Sequence, residues 1–186
     1  MIYKIKPTEV IIFPTDTIYG LGCKFDDEKA IEKIFSLKKR AFNQRLSVLI
    51  HDLSQIEKYI TIDKEILKLA KNFWPGALTI IVPLKKSLKY YDKNIGIRIP
   101  DCQIALDLLK SNGPLATTSV NLSGEKEIDD YDEIYQNYHN QVACIIKKNK
   151  ASSGISSTVI LLENNNYKIL REGVISAKEI AQVLEK

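Results

Sequence analysis

Every strand-like apolar run in this chain is short, and the most telling of them stop at islands of hydroxyl-bearing or cationic residues. Val10–Phe13 gives way to Pro14-Thr15-Asp16-Thr17-Ile18-Tyr19-Gly20-Leu21-Gly22, and a helical stretch ends on Lys38-x-Arg40. A later run meets Ser119-x-Asn121 with Ser123-Gly124, and Ser156-Ser157-Thr158 is followed by Arg171. Sheets built from such strands bind ligands in the crevice at the strand ends, where hydroxyls, free N–H groups and cations converge on phosphate or carboxylate oxygens. The islands together predict a pocket for anions.

The pattern between the islands predicts alternating strands and helices. Glu9–Phe13 is β-branched and bounded by Pro14, and a Thr- and Gly-rich loop is expected after it. From Asp26 onward, Ala30, Ile31, Ile34, Phe35 and Leu37 recur at helical spacing, which places Lys38 and Arg40 at the helix C-terminus or just beyond it. Leu46–Ile50 reads as a strand, Ser54-x-x-Glu57 as a capping box opening a helix toward Tyr59, and Asp63–Phe73 as a helix closed by Trp74-Pro75-Gly76. Strands follow at Ala77–Val82 and Ile95–Ile99, then a helix over Asp101–Lys110 and a strand over Pro114–Thr118. The remaining expectations are a helix near Tyr131–Tyr138, strands at Val142–Ile146 and Thr158–Leu162, and a hairpin partner at Tyr167–Leu170 across an Asn164-Asn165-Asn166 turn. A last helix starts at the capping box Ser176-x-x-Glu179. Alternation broken by one hairpin predicts an α/β fold: a single domain over residues 1–186 with a twisted, open, mixed parallel and antiparallel sheet flanked by helices.

Several function classes are excluded early. With 186 residues, 45% of them hydrophobic, the chain can bury about two thirds of its unfolded surface in one domain. Its longest apolar runs fall far short of the roughly 20 residues of a membrane span, and the N-terminus has no secretory h-region, so a soluble cytoplasmic protein is expected. Cys23, Cys102 and Cys144 are few, far apart and without C-x-x-C spacing; they read as small core residues rather than as disulfides or a zinc site. His51 and His139 sit at no metal-ligand spacing, which leaves no His-based triad or metal enzyme. The net charge of +4 is mild and reads as a solvated lysine-rich surface. G-x-x-x-x-G-K-[ST] is absent, Phe25 stands where a dinucleotide fingerprint needs its third glycine, and Gly154–Thr158 fails the G-x-S-x-G pattern.

Taken one at a time the islands are modest. Lys38 and Arg40 suit a helix C-terminus on dipole grounds alone, and Ser119, Asn121, Thr15 and Thr17 suit turns. Arg98 is a stronger signal, because a guanidinium between Ile97 and Ile99 is costly unless paired, either with a ligand's carboxylate or phosphate or with an acid of the chain itself.

In order from Pro14 to Gly173 the chain carries P-T-D-T-x-Y-G-L-G, K-x-R, W-P-G-x-L-T, G-I-R-x-P, P-L-x-x-T-S-x-N-x-S-G, S-S-T-V and L-R-x-G. This ordered set resembles the YrdC/TsaC family of threonylcarbamoyl-AMP synthases, in its short single-domain form. The resemblance implies an enzyme that joins ATP, L-threonine and bicarbonate into threonylcarbamoyl-adenylate and pyrophosphate. That product feeds the N6-threonylcarbamoyl modification of adenosine 37 in tRNA through a separate transfer complex. By the same resemblance Lys38, Arg40, Ser119 and Asn121 are the catalytic and ATP-binding residues, joined by Arg171 on the nucleotide. Thr17, Arg98, Thr117 and Ser157 hold threonine, and Mg2+ arrives with the ATP phosphates or also touches Ser119 and Asn121. The chain departs from the family's pattern at Ala41 and Arg45, where prolines are usual, and at Gln44 and Leu49, where some members carry a nucleotide-contacting Asn and a threonine-contacting His. Weak tRNA or RNA binding is a further expectation. The rival readings are an RNA-binding or ribosome-maturation module and a paralogue handling another carbamoyl-adenylate.

Overall fold

In the computed structural model, which describes residues 2–39, 46–150, 152–163 and 166–185, nine strands form one open sheet. The strands are β1 (Ile11–Phe13), β2 (Gly20–Lys24), β3 (Ser47–Leu49), β4 (Leu78–Pro83), β5 (Asn94–Arg98), β6 (Leu115–Ser119), β7 (Cys144–Ile145), β8 (Thr158–Glu163) and β9 (Asn166–Arg171). Their spatial order is β7-β1-β2-β6-β3-β5-β4-β8-β9. β1–β7, β3–β5 and β4–β8 pair in parallel, and the other five neighbours pair antiparallel. The mixed α/β sheet read from the alternation of elements is the one observed.

Five α-helices flank it: α1 (Glu28–Leu37), α2 (Lys64–Phe73), α3 (Gln103–Asn112), α4 (Tyr131–Tyr138) and α5 (Ala177–Leu184). Four start on a side-chain cap. Asp27, Asp63, Asp130 and Ser176 each accept a backbone N–H of the first turn, and Ser176 with Glu179 closes a full capping box. Each such cap stabilises its helix by about 1 kcal/mol.

The two faces of the sheet are covered unequally, and that inequality makes the site. Ile12, Leu21, Val48, Ile80, Ile97 and Ile160 bury one face against α1, α2, α4 and α5. Their neighbours Ile11, Phe13, Leu49 and Leu115 point the other way, as period-2 alternation requires, and pack on α3. Among the described residues α3 is the one helix of that second cluster. Beyond its reach the same face carries Gly20, Gly22, Ser47, Thr79, Gly96 and Thr117, too small or too polar to seal a core.

Several local expectations need correction. Gly20–Lys24 is not a loop but β2, antiparallel to both β1 and β6. A Cβ on Gly22 would lie 3.0 Å from both Phe13 and the Thr117 hydroxyl, so glycine is there because two neighbours cross it. Ser54 opens no helix: Asp52 caps a single 3-10 turn over Leu53–Gln55, and the Ser54 hydroxyl donates to Asp52 instead of capping. α3 starts at Gln103 behind Cys102 and runs to Asn112. Asn166 belongs to β9, while Asn164 and Asn165 lie outside the described residues. Cys23 is fully buried, whereas Cys102 and Cys144 are half-buried at the edge of the α3 cluster.

Candidate functional site

A cavity of about 350 Å³ opens on the uncovered part of the second face. Its floor follows from strand register. Gly22 and Ser47 both stand opposite Thr117, Gly96 stands opposite Ser47, and Thr79 pairs through Val159 to Arg171. Thr17, Lys38, Arg98, Thr117, Ser119, Asn121, Ser157 and Arg171 all line it. Eight of the nine site residues read from the sequence therefore share one hollow, although they come from six separate segments. The ninth, Arg40, lies outside the described residues, as do Ala41, Gln44 and Arg45. Leu49 also lines the cavity, one of its few apolar surfaces.

Arg98, at the end of β5, is 5% exposed. Its Nε donates to the Gly76 carbonyl at 2.9 Å, Nη1 to Thr17 Oγ1 at 2.9 Å, and Nη2 to Asp16 Oδ1 at 2.6 Å. Of the two partners weighed for it, the chain's own acid is present in the structure. Burial pushes the guanidinium's pKa down from its ordinary value and the Asp16 carboxylate pulls it back up. Three of its five N–H donors are committed, leaving one on each terminal nitrogen. The W-P-G turn supplies the Gly76 carbonyl: Gly76 N–H binds Ile99 O at 2.8 Å, and a side chain at 76 would meet the Phe73 carbonyl at 2.6 Å.

Thr17 is held as firmly. The Thr15 hydroxyl donates to Ile18 O at 2.6 Å and accepts the Thr17 N–H at 3.1 Å. The 3.0 Å Thr15–Thr17 contact then places the Thr17 hydroxyl proton on Thr15 Oγ1, and Thr17 Oγ1 is left to accept from Arg98.

Lys38 is the C-cap of α1 and is buried. Its ammonium donates to Ser119 O at 2.7 Å, Asn121 O at 2.9 Å and Asn121 Oδ1. The Ser119 hydroxyl also donates to Asn121 Oδ1, at 2.7 Å, and Asn121 Nδ2 donates to Glu125 O. K-x-R and S-x-N thus meet through Lys38, whose side chain stands at the cavity wall. Arg98 is level with Leu49 and Leu115, and Ser119 is four residues farther along β6, a backbone offset of about 13 Å along the strand direction.

On the third side, Arg171 Nε and Nη2 both donate to Ser157 O, at 3.1 and 2.9 Å, and Ser157 Oγ lies 2.9 Å from Thr79 Oγ1. Partial burial lowers the Arg171 pKa from its ordinary value and Glu127 raises it. Gly173 makes this approach possible, since a Cβ there would lie 2.1 Å from Ser156 O.

Sequence reading missed Asp16 as the partner of Arg98, Thr79 as the partner of Ser157, and a clasp at the rim. In the clasp, Asp129 accepts Tyr19 N–H at 3.0 Å and Lys148 Nζ at 3.1 Å, and Ser152 Oγ donates to it as well. Ser153 and Gly154 N–H groups then bind the Asp16 and Thr17 carbonyls. The signal for Asp16 was present, since an acid inside P-T-D-T is the natural partner for a buried arginine; Asp129 and Lys148 stand in no motif.

The donor set at Ser119 and Asn121 does not suit a directly bound Mg2+. Asn121 Oδ1 already accepts from the Lys38 ammonium and the Ser119 hydroxyl, so a dication there would face a fixed positive charge. Among the described residues no three His, Cys, Asp or Glu side chains cluster as metal ligands. No described helix is long and apolar enough to cross a membrane.

Comparison with known proteins gives a consistent picture. The family model Sua5_yciO_yrdC, described as telomere recombination, matches residues 4–173. A Methanocaldococcus jannaschii protein named "Putative threonylcarbamoyl-AMP synthase" is 37% identical over 179 residues, 94% of this chain and 84% of that one. The Bacillus subtilis threonylcarbamoyl-AMP synthase is 34% identical over 187 residues, 97% of this chain and 54% of the relative. The crystal structure of P. abyssi Sua5 complexed with L-threonine superposes with a TM-score of 0.88 at 32% identity, covering 95% of this chain and 54% of that one. The chain thus spans about half the length of the B. subtilis and P. abyssi proteins.

Proposed function

The chain belongs to the Sua5/yciO/yrdC family, and from that premise we propose that it is a threonylcarbamoyl-AMP synthase, forming threonylcarbamoyl-adenylate and pyrophosphate from L-threonine, bicarbonate or CO2, and ATP. The observation that carries this reading is that the hydrogen-bonded group Lys38, Ser119 and Asn121 and the hydrogen-bonded pair Thr17 and Arg98 line one polar cavity together with Ser157. A structural neighbour of the same family is titled as a complex with L-threonine.

The chemistry suits the residues. The amine of threonine adds to CO2 as a carbamate and loses a proton; a carbamate oxygen then attacks the α-phosphorus in line as the bond to pyrophosphate breaks. Charge moves among oxygens, so fixed cations and positioned hydroxyls suffice without a protein nucleophile. In this reading the two N–H groups left on Arg98 take the threonine carboxylate, with Thr17, Thr117 and Ser157 around its hydroxyl and amine. Lys38 acts on the phosphates through its charge and through the Ser119 and Asn121 groups it orients, with Arg40 and Arg171 as further nucleotide ligands. Mg2+ enters as the metal of Mg–ATP, and the adenylate passes to a separate tRNA-modifying complex.

The test is pyrophosphate release with ATP, threonine and bicarbonate omitted in turn, and the product weighed by mass spectrometry. Release that needs all three, with a product of threonylcarbamoyl-adenylate mass, is expected. Release indifferent to threonine would refute the reading.

A further inference from the structure

Three arginine and lysine side chains line the cavity among the described residues, and one of them, Arg98, is paired with a carboxylate there. Arg98 Nη2 lies 2.6 Å from Asp16 Oδ1. Lys38 rests on carbonyl and amide oxygens, and Arg171 rests on Ser157. Asp16 is itself fixed, because the same Oδ1 accepts the Asp101 backbone N–H at 3.1 Å just ahead of α3. Its carboxylate does not line the cavity, whereas the guanidinium does. Whatever Asp16 does to a ligand, it does through Arg98.

A cavity that takes both an amino acid and a triphosphate has a sorting problem. A triphosphate is the stronger anion, and a buried arginine without a counter-charge attracts it more strongly than it attracts a zwitterion's single carboxylate. Pairing with Asp16 removes that net charge and leaves two directional N–H donors. We propose that Asp16 is a specificity-determining residue, which by cancelling the charge of Arg98 reserves that guanidinium for an amino-acid carboxylate and leaves the triphosphate to Lys38 and Arg171. The proposal rests on the reading of the cavity given above. Desolvation works in the same direction: with burial already disfavouring its charged form, Arg98 gains from a permanent partner.

Inorganic tripolyphosphate, which carries the charge without the nucleoside, is the probe, titrated calorimetrically into the full chain. Asp16→Asn keeps an oxygen for Arg98 and the Asp101 N–H and removes only charge. It is expected to bind tripolyphosphate about tenfold more tightly than the unsubstituted protein, the effect of one uncompensated charge at short range in a partly screened site. In Asp16→Asn, saturating tripolyphosphate should also raise the Kd for threonine about tenfold, while in the unsubstituted protein it should change that Kd less than about twofold. The charge-balanced double variant Asp16→Asn/Arg98→Gln keeps the proposal testable should the single variant fail to fold. It should lose threonine binding yet hold tripolyphosphate within about twofold of the unsubstituted protein. Equal tripolyphosphate affinities in Asp16→Asn and the unsubstituted protein, or a tenfold loss in the double variant, would overturn the proposal. An unsubstituted protein that binds tripolyphosphate but not threonine would instead overturn the synthase reading, and the tripolyphosphate comparison would still decide the role of Asp16.

Discussion

The ammonium of Lys38 sits 2.7 Å from the carbonyl oxygen of Ser119, a residue 81 positions away in sequence, and Ser123 N–H returns the tie by donating to the Lys38 carbonyl at 3.0 Å. The end of α1 is thereby stitched to the loop that leaves β6. A tetrahedral ammonium suits the three oxygens of Ser119 and Asn121 it contacts, in a way that the planar fork of arginine does not.

Lys38→Met should therefore fail twice. Three buried hydrogen bonds are lost, at about 1 kcal/mol each, so a fall of about 3 kcal/mol in unfolding free energy is expected in urea titrations. Turnover should fall about 10²- to 10³-fold in the pyrophosphate assay, the usual loss for one preorganised donor to developing charge. Lys38→Arg should rescue neither. Unchanged stability in Lys38→Met would show that the stitch is not what holds the loop.

Gly173 makes a different kind of prediction, because its neighbours are backbone and cannot step aside. A methyl at 173 would meet Ser156 O at 2.1 Å and the Ser157 carbonyl carbon at 2.7 Å. Gly173→Ala should displace the segment that Arg171 grips, destabilising the protein by about 2 kcal/mol or more, in the range of overpacked sites, and raising KM for ATP. Arg171→Ala, at an exposed position, should raise KM for ATP with a change in stability below about 1 kcal/mol. Comparing melting curves with the two KM values separates the roles.

What could be read in advance depended on range. Helix starts were legible because a cap acts over three residues: Asp63, Ser176 and the periodic run after Asp26 all behave as their local chemistry requires. Arg98 was legible as a problem, a charge in an apolar strand, but its partner Asp16 lies 82 residues away and no local rule reaches that far. β2 was misread because its glycines look like a turn until Phe13 and Thr117 are seen lying across them. Ser54 was misread because Asp52, two residues earlier, competes for the same hydroxyl and wins. That Thr17, Lys38, Arg98, Ser119 and Arg171 meet at one cavity was legible from motif order rather than from periodicity, and the rim clasp of Asp129 and Lys148 was not legible because it carries no repeating or motif signal.

Stability should respond to pH mainly on the alkaline side. Burial, with Asp27 and Asp26 adding to it, raises the Cys23 thiol's pKa far above its ordinary value, and burial does the same to the Tyr91 phenol. In the unfolded chain these groups ionise near 8.5 and 10. A raised folded-state pKa means that the stabilisation is complete below the unfolded value and is lost as pH climbs past it. The opposite holds for Asp52, whose pKa is lowered by hydrogen bonds from Ser54 and His51 and whose contribution disappears as pH falls through the carboxylate range. The melting temperature should be flat from about pH 5 to 8 and fall above about 9. Cys23→Ala, normalised to its own value at pH 7, should show a shallower alkaline fall in scanning calorimetry. An identical slope would remove Cys23 from the account.

Amino-acid selectivity tests the polar half of the cavity most directly. Thr17, Thr79, Thr117 and Ser157 present hydroxyls there, while Ile18, Leu49 and Val159 are its apolar lining. Serine lacks only threonine's methyl, so an apolar niche can reject it by about 1–3 kcal/mol, or roughly 10- to 100-fold in kcat/KM. Valine keeps the shape but leaves hydroxyl partners unpaired, and a site built to bind a hydroxyl rejects such an analogue by up to about 10⁴-fold. The expected order in pyrophosphate release at saturating ATP is threonine, then serine, then valine. Valine turning over within about tenfold of threonine would mean that the hydroxyls gathered around Arg98 do not read the substrate's hydroxyl, and the threonine assignment of Thr17, Thr117 and Ser157 would have to be abandoned.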